Sequence, residues 1–150
     1  MTHTYSWTQY HVVFSTAKRA RLIEEPIQSR LWAYMGGIAR ENDFSSVTIG
    51  GMEEHVHLLL AIPPVLAVAK AVQLVKAGSS KWFNQTFKRA DRFSWQEGYS
   101  VFSIGIAQIP VTRKYIANQK QHHATMSFDE EYIRFLRKHY VPYDEKYVLD

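Results

Sequence analysis

The chain has 150 residues, 46% apolar and 14% aromatic, with a net charge of +4 and no cysteine. That length and apolar share suit one domain, residues 1–150, with a proper core, and argue against disorder. The absence of cysteine excludes disulfides and thiolate metal sites. The start, MTHTYSWTQYH, lacks a secretory pattern, and no apolar run approaches a membrane span. A soluble cytoplasmic protein without membrane contact is expected.

Charge is unevenly placed. Residues 61–92 carry Lys70, Lys76, Lys81, Lys88, Arg89 and Arg92 against one acid, Asp91. This excess suggests a polyanion partner, although charge alone reads equally as a solvated helix face. Aromatics near basic residues suit stacking on single-stranded bases, but most aromatics will be core.

Residues 5–15, YSWTQYHVVFS, are aromatic and β-branched and predict a first strand. Lys18, Arg19 and Arg21 form a basic cluster past its end, a candidate polyanion contact. Pro26 suits the first turn of a helix, and Ile27, Leu31, Tyr34, Met35 and Ile38 follow helical spacing to Arg40. Gly36-Gly37 weakens that helix, and Asn42-Asp43 ends it. Phe44–Gly50 reads as a second strand, Gly50-Gly51 as a turn, and Glu53–Ile62, EEHVHLLLAI, as an antiparallel neighbour.

Pro63-Pro64 stops that strand. Val65–Phe83 predicts a helix whose Lys76, Ser79, Ser80 and Lys81 can hold phosphate oxygens. Residues 84–94 read as a basic loop, and Trp95–Ile106 as a fourth strand with a bulge at Gly98. A helix VTRKYIANQKQHH follows Pro110, then another over Phe128–His139, then an irregular tail. The order β-α-β-β-α-β plus two helices predicts an α+β fold. It would be a ferredoxin-like (split β-α-β) antiparallel sheet with helices packed on one face and additional C-terminal helices.

Strand side chains alternate, so His55 and His57 share a face and form a ready pair of metal ligands. A structural histidine pair is the bland alternative. On the helix after Pro110, Tyr115 and Gln119 lie one turn apart, with His122 and His123 roughly continuing their face. A lone helical tyrosine is usually core. Combined with a metal that polarises a phosphoryl oxygen, its hydroxyl can be a covalent nucleophile. There is no nucleophile elbow, HExxH motif or glycine-rich phosphate loop, so no nucleotide cofactor is expected.

The pieces QYHVVFSTAKR, EEHVHLLL, LVKAGSSKWFN, WQEGYSVFSIG and YIANQKQHHATMSFDEEYIRFL resemble, in order, the HUH single-tyrosine transposases of small insertion sequences and their REP-associated relatives. The resemblance runs from about Tyr10 to Tyr147. It implies that His55 and His57 bind Mg2+ or Mn2+ and that Gln119 completes the metal site. It also implies that Tyr115 attacks single-stranded DNA, leaving a 5′-phosphotyrosine and a free 3′-hydroxyl. The implied substrate has hairpin ends. The family works as a homodimer, and in many members the tyrosine helix of one subunit serves the histidines of the other. Asn118 could in principle replace Gln119 as ligand; the four-residue spacing favours Gln119. His122 and His123 are read as helix packing or support for the site.

Two rivals remain. A non-catalytic single-stranded nucleic-acid-binding module shares the expected fold, but it gives no reason for pairing HVH with YxxxQ. A zinc protein could use His55, His57, His122 and His123.

Overall fold

The computed structural model describes residues 3–150. Four strands, β1 (Gln9–Ser15), β2 (Ser45–Met52), β3 (His55–Ala61) and β4 (Ser100–Ile104), form one sheet in the order β2-β3-β1-β4. Every pairing is antiparallel. Helix α1 (Glu25–Glu41) joins β1 to β2, and α2 (Val68–Phe87) joins β3 to β4. The expected ferredoxin-like arrangement is therefore present.

Alternation divides the central strands. Val12 and Phe14 of β1 and Val56, Leu58 and Leu60 of β3 point to one face. There they meet Leu31, Met35 and Ile38 of α1 and Val72, Val75 and Phe83 of α2. Each such side chain, fully buried, contributes on the order of 2 kcal/mol through removal from water. The other face carries His11, Val13, His55, His57 and Phe102. It is closed by α3 (Ile109–Ala117), α4 (Gln119–His122) and α5 (Phe128–Lys138), with Phe128, Tyr132 and Leu136 packing on Val13 and Phe102.

Several boundaries differ from the sequence reading for identifiable reasons. β1 starts at Gln9, because the next donor toward it after the bond from Ile62 N to Thr8 O would be residue 64, and Pro64 has no N–H. Gly50 and Gly51 lie inside β2, opposite His57 and Val56, and the turn falls at Glu53-Glu54. A Cβ on Gly50 would sit 2.4 Å from the Ile116 carbonyl oxygen, so this glycine admits the backbone of α3. α2 runs on to Phe87, where Lys88 ends it in the left-handed region (φ 40°). The fourth strand shortens to Ser100–Ile104, because the carbonyls of Gln96, Glu97 and Gly98 turn to the Lys76 ammonium at 2.6, 3.1 and 2.9 Å. The helix after Pro110 breaks at Asn118 (φ −102°, ψ 29°), and Gln119 opens the next turn. Among the described residues, no helix is long and apolar enough to cross a membrane.

Candidate active site

β3 carries His55 and His57 fully buried on the face under the C-terminal helices. The Nδ1 of His55 lies 2.6 Å from Glu54 Oε1, and its Nε2 lies 3.0 Å from Gln119 Oε1. The Nδ1 of His57 meets His11 Nε2 at 2.8 Å, and its Nε2 meets Glu131 Oε1 at 2.8 Å. Burial pulls His57 down to about 4, against the opposing influence of Glu131, so it is neutral at pH 7. Burial also pushes His11 well below the usual histidine range.

Gly50, beside His57 in the ladder, lets α3 settle against the sheet, and α3 brings in Tyr115. The Tyr115 hydroxyl donates to Glu131 Oε2 and lies 3.0 Å from His122 Nε2. Its ring is 5.7 Å from that of His57, centroid to centroid. Burial, then the negative charge of Glu131, raises the phenol above its ordinary value, so the hydroxyl keeps its proton. Gln119 is buried; its amide Nε2 donates to Tyr115 O at 3.2 Å, which holds its carbonyl toward His55.

α5 starts at Ser127, whose hydroxyl accepts from Glu130 N, and places Glu131 in its first turn. Glu131 is 1% exposed. Burial favours its neutral form, but hydrogen bonds from His123 and His57 outweigh it and hold the carboxyl well below the usual carboxylate range. His123 Nδ1 donates to Met126 O at 2.7 Å, and its Nε2 lies 3.2 Å from Glu131 Oε2. His55, His57, His123 and Glu131 each offer one ligand atom, all within 4.8 Å of one another. Two or three neutral imidazoles with a carboxylate suit a divalent ion of the first transition row.

The sequence model of the family described as "Transposase IS200 like" matches residues 4–119, more than three quarters of the chain. The chain belongs to this family. It is 22% identical over 116 residues to the ISDra2 transposase TnpA of Deinococcus radiodurans, covering 74% of this chain and 83% of that protein. A crystal structure of a transposase from D. radiodurans R1 superposes with a TM-score of 0.64 at 23% identity, covering 79% of this chain and 96% of that one. A REP-associated tyrosine transposase bound to a REP hairpin superposes with a TM-score of 0.59 at 14% identity, covering 84% and 76%. At these identities the two structures speak for the shared fold.

In this IS200-like transposase, the basic residues singled out from sequence separate from the histidines. Lys76, Ser79, Ser80 and Lys81 lie on α2, which packs on the opposite sheet face. Lys76 already donates to three carbonyls, and buried Ser79 accepts from Trp95 Nε1 at 2.9 Å. Ser80 bonds Ala77 O within its own helix; Lys81 is exposed. Lys18 is exposed as well. Arg19 reaches Ser15 Oγ at 2.7 Å and Asp129 Oδ1 at 2.9 Å, tying β1 to α5. Arg21 pairs with Glu53 and Glu54 at 2.6 Å each.

Sequence reasoning missed Glu131, Glu54 and His11. Glu131 had a readable signal: it stands three residues after Phe128 and four before Phe135, on the apolar stripe of α5. An acid there needs buried partners. His11 gave none, because its pairing with His57 depends on strand register.

Proposed function

We propose that this transposase cleaves and rejoins single-stranded DNA with hairpin ends through a covalent 5′-phosphotyrosine on Tyr115. The observation that carries the reading is the meeting of Tyr115 and His57 on one buried carboxylate, Glu131, within a single chain. A cavity of about 380 Å³ opens beside Tyr115, between α3, the end of β4 and α5, with Arg134 and Lys138 on its wall. It offers a phosphodiester room beside the hydroxyl and two cations to offset its charge.

His55, His57 and Gln119 are the residues assigned to Mg2+ or Mn2+. The donor set fits: His55 rests its Nδ1 on Glu54 and turns its Nε2 inward, 3.0 Å from Gln119 Oε1. When bound, the ion polarises the phosphoryl oxygen and offsets charge as it builds. In the reaction the Tyr115 oxygen bonds to phosphorus while the bond from phosphorus to the 3′ oxygen breaks. The phenol proton departs to His122 Nε2 as the new bond forms, and one proton passes to the 3′ oxygen, which leaves as a hydroxyl, so none is gained or lost overall. The phosphotyrosine keeps the diester's energy for attack by another 3′-hydroxyl, which reverses these steps. The raised phenol keeps Tyr115 protonated at neutral pH.

The test is a labelled single-stranded hairpin oligonucleotide incubated with the protein and Mg2+ or Mn2+, then resolved under denaturing conditions. A covalent adduct is expected from the native chain and none from Tyr115→Phe. His55→Ala should abolish the adduct yet leave hairpin binding within about threefold, since metal loss acts on chemistry more than on docking. A native protein that shifts the oligonucleotide without any adduct would favour the non-catalytic binding module. Three imidazoles and a carboxylate also suit structural zinc; zinc retained through dialysis, with no adduct, would favour that reading.

A further inference from the structure

We propose that Glu131 and His123, both beyond the family-matched segment, are metal ligands alongside His55, His57 and Gln119, giving this chain a site of three imidazoles, one carboxylate and one carboxamide that selects Mn2+ over Mg2+. The first observation is tautomeric. His55, His57 and His123 each have Nδ1 occupied by an outer partner: Glu54, His11 and the Met126 carbonyl. All three therefore turn Nε2 inward. Those three nitrogens lie 3.7, 2.8 and 3.2 Å from the nearest Glu131 oxygens. Imidazoles anchored at one nitrogen and converging through the other are the usual preparation for a metal. For His57 this requires that the Nε2 proton be released as the metal binds and that the pair change tautomer, so that His57 Nδ1–H donates to His11 Nε2.

The second observation is the cost of Glu131. A carboxylate 1% exposed is expensive to bury unless its charge is compensated. Imidazoles and a phenol surround it here, whereas a divalent cation would neutralise it. Its two oxygens divide the work. Oε1 faces His57 and His55, while Oε2 faces Tyr115, His122 and His123. A metal held through Oε1 leaves Oε2 on the Tyr115 hydroxyl, so one carboxylate fixes the distance between ion and nucleophile. Nitrogen-rich sets suit Mn2+ better than Mg2+, which prefers oxygen and retained water.

The ligand assignment stands on geometry alone; only its link to Tyr115 rests on the function proposed above. The experiment is a Mn2+ titration of the full chain, followed by the paramagnetic resonance of free Mn2+, with circular dichroism confirming each variant's fold. Glu131→Gln and His123→Asn should each weaken Mn2+ by roughly 10- to 100-fold, and His122→Gln by less than about twofold. Mg2+ should compete poorly in the native protein. With Co2+, the native chain should give a visible ligand-field band that shifts or fades in Glu131→Gln. Unchanged Mn2+ affinity in both ligand variants, or Mg2+ binding as tight as Mn2+, would overturn the proposal. Loss of affinity in a native protein that forms no covalent adduct would uphold the ligands and remove only the strand-transfer reading.

Discussion

Lys76 and Lys81 show how much of a residue's role lies outside its identity. Both stand on α2 among small hydroxyls, and the sequence offers them equally to a phosphate. The fold separates them: Lys76 closes three carbonyls of the loop before β4, and Lys81 faces solvent. Lys76→Met should therefore destabilise the fold by about 1–3 kcal/mol, the usual cost of stranding acceptors bound to a charged donor. It should leave the salt dependence of oligonucleotide binding unchanged. Lys81→Ala should spare stability and reduce the slope of log affinity against log salt by about 1 if Lys81 meets phosphate. Chemical denaturation and binding across a salt series separate the two. His55 and His57 were legible because a two-residue spacing fixes a shared strand face. Glu131 shows in the sequence as an acid on an apolar stripe, but its partners do not, because they come from β3, more than seventy residues earlier, from α3, and from the histidines just before α5.

At the scale of elements, the double glycine is the instructive case. Gly50-Gly51 is a good turn signal, and the chain uses it within a strand, because another backbone crosses there. Gly50→Ala should push α3 off β2 and move Tyr115. The expected result is a loss of about 1–3 kcal/mol in stability, as for other overpacked sites, and adduct formation slowed by at least roughly tenfold through misplacement. Hairpin affinity should hold. An adduct rate equal to that of the native protein would show that α3 is not positioned by this contact. The β-α-β-β-α-β order was readable from periodicity and breakers. The length of β4 was not, since a lysine from another element competes for its carbonyls, and neither was the kink at Asn118.

For the whole molecule, the sequence foretold a sheet with helices but not that the two faces would divide so cleanly. α1 and α2 build the apolar core, and α3 to α5 close over the chemistry. This burial has a pH signature. His57 ionises near 4 in the fold, against 6.5 for an ordinary histidine. Between those values the unfolded chain takes up a proton that the fold refuses, so stability present above about pH 6.5 is lost as pH falls toward 4, by on the order of 3 kcal/mol. Glu131, a depressed carboxyl, adds a further loss below about 4.5. Urea midpoints should fall steadily from pH 7 to 4, and less steeply in His57→Gln; a flat profile would contradict this. Because nucleophile and histidines meet within one chain, mixing Tyr115→Phe with His55→Ala should not restore adduct formation. Recovery to a sizeable fraction of native activity would show that subunits exchange their tyrosine helices.

The helix α5 that roofs the histidine face also bears on how such a gene fails. A nonsense mutation just after Gln119 would keep every residue of the family-matched stretch while deleting Phe128, Tyr132 and Leu136. Val13 and Phe102 would then be bare to water, along with the histidines. The product would precipitate rather than persist as a slower enzyme, and no shortened, DNA-bound competitor would accumulate. Erosion of the gene from its 3′ end should thus silence it abruptly, while an observer reading only the first 119 codons would still find it intact.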